Sequence, residues 1–310
     1  MARVSIVIPA YNAEAFLEDT IRSVQAQTLA DWELVVVDDG SSDGTHALAC
    51  SLAAAEPRMR VIRQANGGIA RARNAGLAAL APGTEFVIFL DNDDLWEPEA
   101  LELLSAALDA HAECVSADGN ARSVDRQGEP IPGDTLEANL RRRRGVRDGH
   151  VVDWSAGAHT DFSVLAVNNC ILTPGLHLAR RRAVEQIGGF DPSTVPCDDW
   201  DYSLRLSRLG EIAFVDRVIL RWRRHGSNAS DTSRTWRHAY FTVRDRLLAS
   251  PDNTPEQRQQ ARIAYAALCR SLTAEGLRAL RRRRFGRASR HLRRGLYAWL
   301  RMRRCLLLSS

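Results

Sequence analysis

The sequence predicts an α/β protein: a mixed, mostly parallel sheet flanked by helices, extended at its C-terminus by a basic helical segment. Three observations carry this expectation. β-branched runs alternate with helix-period segments through the N-terminal third; each early strand ends in a polar loop; and the chain after Pro255 reads as arginine-rich helix. Such alternation is resolved by parallel strands joined through right-handed crossovers.

Val4 to Ile8 is a β-branched run closed by Pro9, and Ala13 to Thr28 places Phe16, Leu17, Ile21 and Val24 at helical spacing. Glu33 to Val37 is a second buried strand. It runs into Asp38-Asp39-Gly40-Ser41-Ser42-Asp43-Gly44-Thr45, a loop dense in turn formers, followed by a helix over Thr45 to Ala55. Val61 to Arg63 predicts a third strand and Ile69 to Leu80 a helix. Phe86 to Leu90 is a fourth strand leading into Asp91-Asn92-Asp93-Asp94, and another helix follows Pro98. From Val115 to Ala158 the pattern weakens into Gly, Pro, Asp and the Arg141 to Arg144 run, which reads as a loop-rich insertion. Order returns at Ile171-Leu172. Arg182 to Ile187 predicts a helix stopped by Gly188-Gly189, and Asp198 to Leu209 another with Asp198 and Asp199 in its first turn. Ile212 to Val215 and Val218 to Trp222 are strand-like. The expected division is a main domain over residues 1–235, ending near Asn228 to Thr235, and an extension over residues 236–310.

Composition narrows the function classes. A chain of 310 residues with 45% hydrophobic and 26% charged residues builds a sizeable core, which excludes a disordered protein. All 42 basic residues counted as Lys+Arg are arginine, which excludes a catalytic lysine. The cysteines, Cys50, Cys114, Cys170, Cys197, Cys269 and Cys305, lack C-x-x-C spacing, against a zinc site or disulfide framework. No apolar run reaches 18 residues, and Val4 to Ile8 is too short for a signal-peptide core. The expected location is cytoplasmic, with any membrane association peripheral, on the inner face.

Ligands of parallel sheets bind beyond the carboxyl ends of the strands. Those ends carry Pro9 to Asn12, Asp38 to Asp43 and Asp91 to Asp94, so three polar loops should meet at one crevice. Asp91-x-Asp93 suits a hard divalent cation such as Mg²⁺ or Mn²⁺, through which carboxylates can approach a polyanionic nucleotide diphosphate. An isolated D-x-D is more often a solvated acidic turn, and alone it decides nothing. Asp39 can accept hydrogen bonds from a base or ribose, whereas Ser41, Ser42 and Asp43 are explained by turn and capping chemistry.

Taken in order, Val4-Ser-Ile-Val-Ile-Pro-Ala-Tyr-Asn12, Val36-Val-Asp-Asp-Gly-Ser-Ser-Asp-Gly-Thr45, Arg73-Asn-x-Gly76 and Phe89-Leu-Asp-Asn-Asp-Asp-Leu-Trp96 resemble the signature of family-two glycosyltransferases of GT-A fold. Gly188-Gly-Phe-Asp191 and Cys197-Asp-Asp-Trp-Asp201 continue the resemblance, which covers roughly residues 3–230. It implies that Pro9, Ala10 and Tyr11 line a base pocket, with Asn12 and Asn92 in the same substrate-binding loops. Asp39 would contact the base, most often uracil, and Arg73 would sit near the donor. Asp91 would contact ribose or donor sugar and contribute with Asp93 to the site of Mn²⁺ or Mg²⁺. Asp199 would be the general base, and Asp198 stands where the family usually has glutamate. His225 occupies a position where relatives place a histidine near the metal or diphosphate; a lone histidine can equally be structural. Trp96 and Trp200 are read as packing residues.

The implied reaction is inverting transfer of a sugar from a nucleotide-diphosphate donor, UDP first among the candidates. The implied acceptor is a glycan, lipid-linked or small-molecule hydroxyl in cell-surface polysaccharide or glycolipid synthesis. The competing readings are a sugar-phosphate nucleotidyltransferase, which wants a Gly-rich basic loop absent from Pro9-Ala-Tyr-Asn12, a glycosidase, and an inactive nucleotide-sugar-binding or membrane scaffold. In the extension, Gln257 to Leu272, Ala274 to Arg284 and Arg287 to Leu307 are expected helices. Arg281 to Arg284, Arg293-Arg294 and Arg303-Arg304 interleave there with Leu280, Phe285, Leu292, Leu296, Tyr297, Trp299, Leu300 and Leu306 to Leu308. That pattern suits an anionic membrane surface, at about 1 kcal/mol per arginine, or a hairpin packed on the main domain. It contains no nucleic-acid recognition motif, so no nucleic-acid partner is expected.

Overall fold

The computed structural model describes residues 2–226 and 233–308. Strand β1 (Val4–Ala10) pairs in parallel with β2 (Trp32–Asp38) and β4 (Phe86–Phe89), and β2 with β3 (Met59–Arg63). Helices α1 (Leu17–Gln25), α2 (Thr45–Ala55) and α3 (Ile69–Ala78) make the crossovers. Every residue of β1 is buried because both faces of the sheet are covered. Ile6 and Ile8 enter a core with Leu17, Ile21 and Val24 of α1. Val7 joins Val35, Val37, Ala70 and Ala72 on the α3 side. The continuous apolar runs of the sequence are the signature of this two-sided burial.

The far half of the sheet departs from the simple alternation. After β5 (Leu95–Trp96) and α4 (Ala100–Ala110) comes β6 (Ser116–Val124), then α5 (Leu136–Arg141), the hairpin β7 (Arg144–Arg147) and β8 (His150–Asp153), and α6 (Phe162–Val167). The expectation of a loop-rich insertion is therefore corrected, since β6 is an interior strand. It is hard to see because Ser116-Ala-Asp-Gly-Asn-Ala-Arg-Ser-Val124 is small and polar. The close approach of a neighbouring strand demands the small residues: a Cβ on Gly119 would lie 2.8 Å from Ile219 Cδ1.

Strand β9 (His177–Arg180) runs antiparallel between β4 and β6, followed by α7 (Arg181–Ile187) and α8 (Asp198–Ser207). Gly188 ends α7 with φ 74°, as the sequence anticipated. The two strand-like segments near residue 215 are one strand, β10 (Ile212–Arg223), with register shifts between Val215 and Leu220. It lies parallel to β6 and antiparallel to β5, completing the order β3-β2-β1-β4-β9-β6-β10-β5. Ile171-Leu172 falls in no element.

Helices α9 (Ser233–Ala249), α10 (Pro255–Arg281) and α11 (Phe285–Leu308) follow. The expected break near Thr273 is absent; α10 is one helix started by a Thr254–Gln257 capping box. The α10–α11 hairpin packs closely where a Cβ on Gly276 would lie 2.6 Å from Leu292 Cγ. Buried Arg244 of α9 donates to the carbonyls of Ala166 and Val167 at the end of α6, and Asp245 accepts from Tyr265 of α10 and Arg301 of α11. One face of the extension is thus packed on the main sheet's neighbours. The expected junction near Asn228 to Thr235 falls largely on residues 227–232, outside the described residues. No helix among the described residues is long and apolar enough to cross a membrane, and all six cysteines are free.

Candidate active site

The three loops at the strand ends are stitched together by side-chain hydrogen bonds. Asn12, at φ 48°, accepts from the Ser42 amide (2.9 Å) and donates its own amide to Ser41 Oγ (3.0 Å). Asn92 Nδ2 donates to the carbonyl of Pro9 (2.8 Å). Pro9 and Ala10 are buried at the end of β1, while the Tyr11 ring is 51% exposed at the rim. The two acids of the second loop have different surroundings. Asp38 is fully buried against Arg63 and His46 and caps the turn at Ser41. Asp39 accepts from Gln64 Nε2, the Gly67 amide and the Gly68 amide at 2.7–2.9 Å, so it orients the loop entering α3.

Arg73 is the hub of the site. It is 3% exposed, and its guanidinium donates to Asp91 Oδ1 (2.5 Å) and Asp198 Oδ2 (2.7 Å). Asp91 Oδ2 accepts from Thr173 Oγ1 (3.0 Å). One side chain of α3 therefore ties the acidic loop to the start of α8. Burial works against the Arg73 cation, yet Asp91 and Asp198 outweigh it and hold its pKa above the ordinary value. Burial also raises the Asp198 pKa, with Arg73 opposing. Such a buried cluster is an unforgiving arrangement, because removing any one partner strands the others in a poor solvent.

Asp93 points away from that hub. Its Oδ2 lies 2.9 Å from His225 Nε2, and the imidazole stacks on Phe16 at 4.6 Å. Burial and then the neighbouring Asp91 raise the Asp93 pKa, against the His225 contact. Asp94 serves structure: it is 1% exposed and accepts the Arg223 amide (3.1 Å), with burial keeping its pKa well above the carboxylate range. Arg223 braces the same loop by donating to the Asp93 carbonyl and to Asp19. Asp93 and His225 offer a carboxylate and an imidazole, donors that Mn²⁺ or Mg²⁺ accepts, while Asp91, turned to Arg73 and Thr173, does not converge with them to within 4.8 Å. The positive charge would relieve the penalty that burial imposes on Asp93. A separate group, His111, Glu113 and His159, has ligand atoms within 4.8 Å of one another. It lies around the amino end of β6, across the sheet from Asp93, and is no part of this site.

Asp199 sits half-buried in the first turn of α8. It accepts from Asn169 Nδ2 (3.3 Å) and from the Trp200 amide (2.6 Å). Burial first, and Asp198 second, push its pKa up to about 8, against the Trp200 amide and Arg73. Trp200 packs beneath with its indole on the Leu165 carbonyl, and Trp96 does likewise on Gly175, so both are packing residues.

Sequence reasoning missed three contributors. Thr173 and Asn169 come from a segment with no periodic pattern. Asn74 lay inside the Arg73-Asn-x-Gly76 motif: its amide makes a two-way pair with the Phe190 backbone (2.8 Å each), locking α3 to the Gly188-Gly189-Phe190 turn.

A sequence model of glycosyl transferase family 2 matches residues 5–188, more than half of the chain. The chain belongs to glycosyl transferase family 2. A chondroitin synthase of Pasteurella multocida is 30% identical over 232 residues, covering 73% of this chain and 21% of that protein. The succinoglycan biosynthesis protein ExoW of Rhizobium meliloti is 44% identical over 103 residues, 33% of this chain and 32% of its own. The chain thus spans about a fifth to a third of the length of these curated relatives. Among solved structures, Staphylococcus aureus TarS residues 1–349, in complex with UDP-GlcNAc, superposes with TM-score 0.65 at 18% identity. The match covers 96% of this chain and 81% of that one. This family 2 chain therefore shares the TarS fold, including the mostly parallel, helix-flanked sheet that the sequence predicted.

Proposed function

We propose that the chain transfers a sugar, with inversion, from a nucleotide-diphosphate donor to an acceptor hydroxyl in the synthesis of a cell-surface polysaccharide or glycolipid. The observation that carries this reading is the Arg73 hub, which fixes the acidic loop of Asp91 and Asp93 against the α8 turn that bears Asp199. A UDP donor is supported by the TarS complexes, which hold UDP-GlcNAc in one case and UDP in another. The polysaccharide setting is supported by the names of the chondroitin and succinoglycan relatives.

In this reading Pro9, Ala10 and Tyr11, with Asn12, Asp39 and Asn92 holding their loops, receive the nucleotide. Arg73 holds Asp91 and Asp198 in place beside the donor. Asp93, beside His225 and with Asp91 two residues before it, would hold Mn²⁺ or Mg²⁺, which would counter charge on the diphosphate leaving group. Asp199 takes the acceptor proton as the hydroxyl oxygen attacks the anomeric carbon from the face opposite the diphosphate. Its raised pKa makes it a stronger base than an ordinary carboxylate once deprotonated, and the neighbouring Asn169 can orient it. Residues 1–235 form the transferase unit in this scheme. The helices that follow steady α6 and α8, and present arginine and apolar side chains to an anionic inner membrane surface.

The test is calorimetric titration of UDP, GDP and dTDP into the full chain, with Mn²⁺ and then with a chelator. Metal-dependent binding of one nucleotide is expected; a folded protein that binds none with or without metal refutes the donor site and favours the inactive-scaffold alternative.

A further inference from the structure

Arg237 and His238 of α9 and Arg290, Arg293, Arg294 and Tyr297 of α11 line a cavity of about 590 Å³. Tyr297 of that lining meets buried Phe241 of α9 edge to face, at 5.1 Å. The four arginines are exposed, and among the described residues none pairs with a carboxylate; the Arg293 hydrogen bonds go to Ser289 Oγ. Elsewhere in this chain arginines pair with acids readily, so a cluster left without countercharge is a standing electrostatic cost. Guanidinium forks match phosphate oxygens two at a time.

The cavity wall is joined to the candidate base. Trp236, adjacent to Arg237 and 44% exposed, stacks on Tyr240 at 5.0 Å; Tyr240 stacks on Trp200 at 5.2 Å, and Trp200 follows Asp199 in α8. Cys197 Sγ, one residue before α8, reaches the Trp236 carbonyl at 4.0 Å. On the other side α11 exposes Leu296, Trp299 and Leu300, at 58%, 40% and 53%.

We propose that this cavity is an anion site for the phosphate or diphosphate group of the acceptor, and that the acceptor is a phosphorylated glycan. The proposal rests on the reading of Asp199 as the base, and it names the substrate class for that site. Arg237, Arg290, Arg293 and Arg294 grip the phosphate oxygens, Trp236 offers its exposed face to the sugar, and the hydroxyl end extends toward Asp199. Leu296 and Leu300, three and seven residues after Arg293 on α11, offer exposed apolar surface beside the cavity to a lipid tail attached to the phosphate.

The experiment titrates inorganic pyrophosphate into the full chain in the presence of chelator, where the carboxylates of the donor site have no cation through which to hold it. Saturable binding is expected, weakened at least tenfold in Arg290→Ala/Arg294→Ala and in Arg237→Gln, with unchanged circular dichroism. Mn²⁺-dependent UDP binding should be the same in all three proteins. Equal pyrophosphate affinity in the variants, or no binding to the wild type, overturns the proposal. Loss of UDP binding with pyrophosphate binding intact would instead strike the donor-site reading. Co-sedimentation with phosphatidylcholine vesicles carrying an isoprenoid diphosphate separates the sources. Arginine-dependent sedimentation identifies a lipid-linked acceptor; arginine-dependent pyrophosphate binding without sedimentation identifies a soluble one.

Discussion

Gly76→Ala tests whether the packing of α3 on β1 sets the position of the Arg73 hub. A Cβ on Gly76 would lie 2.2 Å from Val7 Cγ1 and 3.1 Å from both Val7 Cγ2 and Val37 Cγ2. Carbon atoms rest at about 3.5–4.0 Å, so the deficit against Val7 exceeds roughly 1 Å. Rotating Val7 relieves the closest contact only by swinging a methyl into the third staggered position inside a fully buried strand, and still leaves one methyl near the added carbon. Val7 must therefore repack or the helix must lift, and Arg73 lies one turn before Gly76 on it. Overpacking of this kind costs about 1–3 kcal/mol, offset by up to about 1 kcal/mol from the better helix propensity of alanine. We expect a net loss of about 1–2 kcal/mol in urea unfolding followed by circular dichroism, together with weaker Mn²⁺-dependent UDP binding. Val7→Ala removes both obstructing methyls, so adding it to Gly76→Ala should restore part of each loss, although Val7→Ala alone destabilises. A Gly76→Ala protein as stable as the wild type, with unchanged UDP binding, would refute the reasoning.

Further outcomes follow from the buried charges of the protein. Arg73→Met leaves Asp198 buried and Asp91 half-buried without their cation, and should cost about 3 kcal/mol in urea unfolding at pH 7; a loss below about 1 kcal/mol would mean the hub is not what joins α3 to α8. Asp199→Asn should leave UDP affinity unchanged and abolish transfer. In the wild type, kcat/KM for the acceptor should rise as pH increases toward about 8, because only the deprotonated carboxylate can act as base; a profile flat from about pH 6 to 9 would remove Asp199 from that role. Asp118, buried in β6, has its pKa pushed up to about 7 by burial, partly opposed by Arg143. Since the folded pKa is raised, the unfolded chain gives up this proton first, and stability falls as pH rises from near 4 to 7 by up to about 1.4 kcal/mol per unit. Asp118→Asn should flatten that slope in melts across the window; an unchanged slope would assign it to other groups.

The donor half of the molecule was legible because its strands are buried on both faces and its loops are dense in turn formers. Val4 to Ile8 and Phe86 to Leu90 could hardly be anything but interior strands, and the polar loops after them had to meet. What local sequence withheld is long-range. Strand β6 carries Asp118 and Asn120 inward, and β9 is a four-residue strand whose place depends on pairing with β4 and β6. The role of Arg73 was anticipated only as proximity to the donor; its grip on Asp198 joins residues 125 apart in sequence. Asp39 illustrates the converse, since its acidity was legible but the three donors that occupy it come from the following loop.

The placement of β9 has a consequence for how the chain reaches its native state. Strands β1 to β4 assemble from neighbouring segments, so the nucleotide-binding half can form early during synthesis. The outer edge of β4 nevertheless stays open until Arg180 has been made, because its partner there is β9 and not any strand that precedes it. Throughout that interval Phe86 to Phe89, fully apolar, presents free amide and carbonyl groups to any other extended chain. Aggregation during expression should therefore be worst for truncations that end between β4 and β9, and should ease once the antiparallel strand closes the sheet.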